Sequence, residues 1–155
     1  WFDVVGIQCP PQIHLTADQI QTDPPTRLAY TTYYEGLAFQ DRGQLPQAIE
    51  RFLKAQQLDP LAPMIANHHA YLLATNPDPA VRDPDKALRL ALHALAACQA
   101  HGQGYIPDIL DTVARAYHEN GDTPNALRFQ KLALEWDPRN RDYRRQMRLI
   151  QPPQP

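Results

Sequence analysis

The residues that could do chemistry in this 155-residue chain are six histidines, two cysteines and a few neighbouring acids. His68 and His69 are adjacent in the sequence, and successive side chains of a helix point about 100° apart, so the two cannot easily bind one metal ion together. Neither has an acid or a cysteine three or four residues away to complete a ligand set. His93 and Cys98 are five residues apart, which is a poor spacing for joint work on one helix. We therefore predict no metal site.

Catalytic sequence motifs are also lacking. The sequence contains neither a nucleophile elbow nor a glycine-rich phosphate loop. Asp108 and Asp111 are one turn apart on a predicted helix, but acids in a first turn ordinarily just favour the helix dipole. We therefore expect no catalytic residue and no cofactor, and we predict that the chain is not an enzyme.

Composition indicates a globular domain of ordinary size, with 43% apolar and 21% charged residues. The net charge of −2 gives no general electrostatic case for binding nucleic acid or an anionic membrane. No stretch approaches the roughly 20 apolar residues that span a bilayer. Residue 1 is Trp rather than Met, which leaves open an upstream signal peptide or membrane helix, and we expect direct membrane contact only through such a segment. The compartment, cytoplasm or cell envelope, and the oligomeric state are left open.

The two cysteines, Cys9 and Cys98, allow two states. They could form a disulfide, or they could stay reduced, and we favour buried free thiols. Two cysteines do not fix the redox compartment.

The segment from Ala29 to Pro60 organises the rest of the chain, and it is predicted to form two helices folded back on each other. Gly43 can end the first helix, since glycine adopts the left-handed backbone angles that other residues resist. Pro46 can open the second helix, where its missing N–H costs nothing. Small residues lie where the two helices come closest, namely Gly36, Ala48 and Ala55. Phe39 and Phe52 fill the space beside that contact, and Pro60 ends the pair.

The same pattern recurs twice downstream. Residues 109–138 repeat it with Ala114, Tyr117, Gly121, Ala126, Ala133 and Pro138, and residues 66–97 with Ala70, Leu73, Ala87, Ala91 and Ala94. This spacing resembles that of the tetratricopeptide repeat family. The resemblance implies an all-α, right-handed solenoid of three helix–turn–helix pairs plus a C-terminal capping helix. The turn ATNPDPAVRD of the second pair is similar to one in bacterial members, which suggests a bacterial source.

These patterns divide the chain into three parts. Residues 1–26 are predicted to form an extended arm and residues 151–155 a proline-rich tail. Between them, the repeat domain of residues 27–150 has repeats at about 29–62, 63–100 and 107–138 and a cap at 139–150. We expect Thr26, Asp83 and Thr123 to cap helices.

Proteins of the tetratricopeptide repeat family line a concave groove with the first helix of each pair. Transferred to this chain, the resemblance implies a lining of Tyr30, Tyr33, Leu37 and Gln40, then Met64, Asn67, Tyr71 and Ala74, then Asp108, Asp111, Arg115 and His118. Aromatic side chains beside amides, with one arginine among acids, suit a peptide or a helix. In the alternative interpretation, Tyr33 and Tyr71 pack against the arm and nothing binds. The family's Lys, Asn and Arg clamp for chaperone C-termini is absent, because Tyr33, Leu37 and Asp111 occupy its positions.

Three functions are compatible with this sequence. The first, which we favour, is a non-enzymatic protein–protein interaction module or scaffold that binds a protein partner and no nucleic acid. The second is a structural subunit of a larger, envelope-associated complex, held through apolar side chains of the arm that need a cover: Trp1, Phe2, Val4 and Val5. The third is a lid or regulatory domain of a longer enzyme.

The predicted capping helix carries a basic set of side chains. Either it is a solvated cap, or it contacts an acidic partner or lipid headgroups. Its basic residues are Arg141, Arg144, Arg145 and Arg148.

Overall fold

The computed structural model describes residues 24–60, 62–101 and 106–151, and within these ranges the chain forms helices and no strand. The helices are Pro24–Asp41 (α1), Leu45–Leu58 (α2), Pro63–Thr75 (α3), Pro84–His101 (α4), Ile106–Glu119 (α5), Thr123–Trp136 (α6) and Arg141–Ile150 (α7). Helices α1 and α2, α3 and α4, and α5 and α6 pack as consecutive pairs, and α7 packs on α6 and α5. The predicted all-α architecture of three helix pairs and a C-terminal capping helix is confirmed.

Glycine closes the first and third pairs, as predicted. Gly43 and Gly121 have φ angles of 72° and 78°, which L side chains rarely adopt. The Gly43 N–H donates to the carbonyl of Gln40 and the Gly121 N–H to that of His118, each at 2.9 Å. These bonds satisfy carbonyl groups that the end of a helix leaves without a partner.

The long turn of the second pair is folded by its own acidic and amide side chains. The Asn76 side chain accepts from the N–H of Asp78 at 2.9 Å, and the Asp78 side chain accepts from Ala80 at 2.9 Å. The predicted cap Asp83 accepts from the N–H of Lys86 at 2.9 Å and so begins α4. Turn residues of this kind stabilise a tight path without secondary structure.

The start of α1 was predicted too late. The helix begins at Pro24 rather than at residue 27, because proline is well tolerated in a first helical turn. Thr26 therefore lies inside α1 rather than before it, and its hydroxyl donates to Asp59 at 3.2 Å. Of the predicted arm, residues 1–23 lie outside the described residues, as do residues 152–155 of the tail.

Two further helix starts also differ from the prediction. The N-cap of α6 is Asp122, which accepts from the N–H of Asn125 at 3.1 Å, and Thr123 is already helical. Helix α7 begins at Arg141 rather than at residue 139, and Asn140 caps it. In both places a short Asp or Asn side chain, a strong N-cap, stands immediately before the helix.

Buried side chains of the described residues form two large clusters and one smaller cluster. The first cluster lies between α1, α2 and the start of α3 and includes Tyr33, Phe52 and Ile65. The second cluster has members from each of the helices α3 to α7 and includes Ile109 and Val113. Burying one large apolar side chain contributes roughly 1.5–3 kcal/mol, so these clusters hold the helix pairs together.

Small residues occupy the helix contacts, as the repeat pattern predicts. Ala48 and Ala126 are fully buried, and so is Cys98 of α4. Cys9 lies outside the described residues, so the state of the two thiols stays a prediction. Among the described helices, none combines the length and the apolar character that crossing a bilayer requires.

Candidate functional site

A groove runs between α3, α5 and α7, which are the first helices of the second and third pairs and the capping helix. Its larger cavity has a volume of about 480 Å³, and a second cavity of about 360 Å³ adjoins it. The two cavities share wall residues from all three helices, namely Thr75, Arg115, Gln146 and Leu149. Side chains three or four residues apart lie on one face of a helix, which explains why each helix presents a row of them to the groove.

Arg115 lies in the floor of the groove and is held by all three helices. Its Nε donates to Asp111 on the same helix at 2.7 Å, and its Nη1 donates to the Gln146 side chain of α7 at 2.8 Å. Its guanidinium lies over the Tyr71 ring of α3, 5.4 Å from the ring centroid. A cation over an aromatic face is attracted by the ring quadrupole. Arg115 is therefore fixed in place before any ligand arrives.

A buried amide links this arginine to the capping helix. The fully buried Gln130 of α6 donates from Nε2 to Asp111 at 2.8 Å and to the main-chain carbonyl of Tyr143 at 3.1 Å. Both oxygens of Asp111 are thus engaged, one by Gln130 and one by Arg115. This acid is a structural partner and not a free base.

Tyr143 makes a second polar contact between α7 and α5. Its hydroxyl donates to the carboxylate of Asp108. Burial raises the pKa of the Tyr143 phenol well above its ordinary value of 10, and the neighbouring Asp108 carboxylate raises it further. The phenol therefore remains a hydrogen-bond donor throughout the usual pH range.

The adjacent histidines of α3 face different helices. A ring nitrogen of His68 is 2.8 Å from the Gln40 side chain of α1, and one of His69 is 2.7 Å from Gln56 of α2. Burial lowers the pKa of each imidazole from 6.5 to about 4, and the charge of Lys86 also lowers that of His69. Both side chains are therefore neutral near pH 7, and the groove gains no positive charge from His68.

The structure brings together most of the groove residues that the sequence placed in the second and third repeats. Asn67, Tyr71, Asp108, Asp111 and Arg115 line the larger cavity. The smaller cavity contains two more of the predicted residues, Ala74 and His118.

Residues predicted from the first repeat lie elsewhere. Tyr33 is buried in the first cluster, and Tyr30 and Leu37 pack against it together with Met64. Their part in binding stays a prediction.

Sequence reasoning missed the third wall of the groove. Helix α7 and its N-cap supply this wall, including Tyr143, Gln146 and the 60% exposed Leu149. The spacing of these three residues on one helix face was a usable signal. The abundance of arginine in the segment favoured its interpretation as a solvated cap.

The four arginines of this helix have different environments. Arg145 lines the larger cavity, and Arg144 donates from Nε to the carbonyl of Pro138 at 2.7 Å. Arg141 and Arg148 are exposed. A contact of this basic set with an acidic partner or lipid headgroups stays a prediction.

Comparisons with known proteins agree with the repeat pattern. No family model matches the chain. It is 36% identical over 92 residues to tetratricopeptide repeat protein 36 of Caenorhabditis elegans, a match that covers 57% of this chain and 51% of that protein. The matched part thus spans about half the length of that curated relative.

Similar solved structures are tetratricopeptide repeat domains. The first such domain of Spaghetti (RPAP3), bound to the HSP90 peptide SRMEEVD, has a TM-score of 0.65 at 17% identity, over 80% of this chain and 93% of that one. The N-terminal domain of stress-induced protein-1 (STI-1) from C. elegans has a TM-score of 0.63 at 15% identity, over 83% and 98%. The first domain of human RPAP3 has a TM-score of 0.54 at 17% identity, over 81% and 91%.

These likenesses confirm the predicted fold, including the solenoid arrangement. The organisms named for these proteins are C. elegans and human, so the expected bacterial source stays a prediction.

Proposed function

We propose that this chain, a tetratricopeptide repeat protein by its fold, is a non-enzymatic protein–protein interaction module that binds a peptide or a helix in the groove between α3, α5 and α7. The observation that supports this is the fixed position of Arg115, which Asp111, Gln146 and Tyr71 hold from three helices. A side chain that is already ordered loses little conformational entropy when a ligand binds.

Hydrogen-bonding capacity in the groove supports a peptide ligand. Asn67 lines the larger cavity and contributes a side-chain amide, which can both donate and accept hydrogen bonds, to its wall. Arg115 uses two of its five N–H groups in the hydrogen bonds described above, which leaves donors for peptide carbonyl groups.

Apolar side chains beside these polar groups would provide the remaining binding energy. Tyr71 and Leu149 both line the groove and are 36% and 60% exposed. An aromatic anchor next to a fixed arginine is a common composition for the energetic centre of an interface. One of the similar structures, the first domain of Spaghetti, binds an HSP90 peptide, which is consistent with this proposal.

Peptide selection from a random display library, followed by affinity measurement on the selected peptides, tests the proposal. Tyr71→Ala and Leu149→Ala should each weaken binding about tenfold or more, as expected for interface anchors. The matched controls are Tyr34→Ala and Leu92→Ala, since these side chains are 57% and 36% exposed and do not line the groove. Equal losses in the test and control variants would contradict a site in the groove.

Assembly through the arm is a separate proposal. It is supported by the apolar character of Trp1, Phe2, Val4 and Val5, which lie outside the described part of the chain. Deleting residues 1–23 and measuring both peptide affinity and co-purification of a complex separates the two functions. Loss of the complex with peptide affinity retained would support assembly through the arm.

A further inference from the structure

The charge of the arginine in the groove is offset by a neighbour on the same helix. Asp111 and Arg115 form an ion pair at 2.7 Å, and their side chains are only 8% and 17% exposed. A charge pair at this distance is screened little by salt when it is mostly withdrawn from water. Arg115 therefore offers N–H donors to the groove but little net positive charge.

The other charged groups of the groove are more acidic than basic. The larger cavity is lined by three aspartates and two arginines, so the Asp111–Arg115 pair leaves Asp108 and Asp142 against Arg145. In the smaller cavity, Arg82 and Glu119 face each other at 3.5 Å. With Arg115 counted once, the charged side chains that line the two cavities are four acids and three arginines, so the lining carries a net charge of −1.

Asp111 is held so that it cannot swing away from Arg115. Gln130, which is fully buried, donates to the second oxygen of Asp111 and also to the main chain of α7. If Asp111 left this position, one buried N–H of Gln130 would lose its acceptor, which typically destabilises a protein by about 1–3 kcal/mol. An acidic ligand therefore cannot displace Asp111 cheaply in order to reach the arginine.

We infer that Asp111 sets the charge preference of the groove, so that it takes peptide segments that carry lysine or arginine and rejects acidic ones such as SRMEEVD, which a similar structure holds. The inference rests on the proposed peptide-binding function and goes beyond it by naming the partner chemistry. A like charge placed against an unwanted ligand is a recognised means of specificity.

The test compares the full chain with two variants of opposite charge effect. The probes are a random display library, the peptide SRMEEVD, and the basic peptide SRMKKVK, in which lysine replaces each acidic residue and the C-terminus is amidated. The unmodified chain should enrich Lys and Arg over Asp and Glu in the library and should bind SRMKKVK more tightly than SRMEEVD. Asp111→Asn should release the charge of Arg115 and raise affinity for SRMEEVD about tenfold or more.

Arg115→Gln should shift the preference in the other direction, further toward the basic peptide. The matched control is Glu35→Gln, which breaks the exposed Glu35–Arg51 pair, lies outside the groove lining and changes net charge as much as Asp111→Asn does. Circular dichroism melts establish that each variant is folded. If only one of Asp111→Asn and Arg115→Gln is folded, that variant alone is sufficient to test the inference.

The outcomes separate the two proposals. Library selection that yields no peptide for the unmodified chain contradicts the proposed function and, with it, this inference. Selected peptides with no charge preference contradict the inference alone. A preference for acidic peptides also contradicts the inference alone. So does a charge preference that neither Asp111→Asn nor Arg115→Gln changes.

Discussion

The ring of Phe52 in α2 lies against the backbone of Gly36 in α1 so closely that a side chain does not fit between them. A Cβ atom on Gly36 would be 2.5 Å from Cε1 and 2.8 Å from Cδ1 of Phe52. The ring is fully buried, and it also packs on Tyr33, with centroids 5.7 Å apart, and on His68, with centroids 4.5 Å apart. It therefore has little room to move away.

Gly36→Ala should destabilise the chain by about 1–3 kcal/mol, because overpacking a closed contact outweighs the better helix propensity of alanine. Urea denaturation measures this change in the free energy of unfolding. The double variant with Phe52→Leu should show a smaller effect of Gly36→Ala, because the shorter side chain makes room for the methyl group. Additive effects of the two substitutions would mean that the contact is not the cause.

Ala48→Arg and Ala126→Arg should each lower the free energy of unfolding by roughly 3 kcal/mol or more, since both alanines are fully buried between paired helices. Gln47→Arg is the matched control, because Gln47 is the exposed neighbour of Ala48. Thermal melts of the three variants provide the comparison. If the two alanine variants melt like the control, the helix register described above is incorrect.

Stability should fall with acidification below pH 6.5. The pKa values of His68 and His69 are lowered to about 4, so between pH 6.5 and 4 the unfolded chain binds more protons than the folded chain does. The stabilisation is complete above pH 6.5 and is lost as the pH falls to about 4. We expect a loss on the order of 3 kcal/mol for each histidine, with the smaller share from His68, whose side chain keeps some exposure to solvent.

Urea denaturation at pH 7, 6, 5 and 4.5 tests this dependence. The double variant His68→Gln, His69→Gln should show a flatter profile between pH 6.5 and 5, where few carboxylates titrate. The control is His93→Gln, at an exposed position of α4. An unchanged slope in the double variant would assign the acid sensitivity to other groups.

Tyr143→Phe should loosen the capping helix by about 1.5–3 kcal/mol, because it removes a hydrogen bond to the charged Asp108. Hydrogen exchange of the α7 amides should accelerate, while that of α3 and α4 should not. Tyr34→Phe serves as the control, since Tyr34 is exposed. If the α7 amides are protected equally in Tyr143→Phe and in the unmodified chain, the remaining contacts, which include those of Gln130 and Gln146, are sufficient to fix this helix.

Much of the fold could be predicted because its cause is local and repeated. Ala48 and Ala126 occupy the same place in two repeats, and the positive φ of Gly43 and Gly121 is a requirement that few residues meet. Proline at or near the helix starts adds an independent signal. Such constraints act within one helix pair and are therefore visible in its sequence.

The groove was harder to predict because it depends on contacts between pairs. Gln130 is 19 residues from Asp111, and Gln146 is 31 residues from Arg115, so nothing in the local pattern joins them. Tyr33 occupies a position that the repeat pattern assigns to the groove, but in the structure it packs against the Phe52 ring within the first cluster. The repeat pattern places Phe52 beside the helix contact but does not specify which side chain of α1 it packs against.

The division of the core into separate clusters bears on the lifetime of the proposed peptide complex. Helix α3 gives Ile65 to the first cluster and Ala66 and Ala70 to the second, so the two meet along a single helix. The main contact of the N-terminal pair with the rest of the described chain is made through α3, so we expect α1 and α2 to open more readily than α5 and α7 separate around Arg115. We therefore expect the residence time of a bound peptide to depend on the rate at which α7 separates from α5 and α6, and not on the rate at which α1 and α2 open.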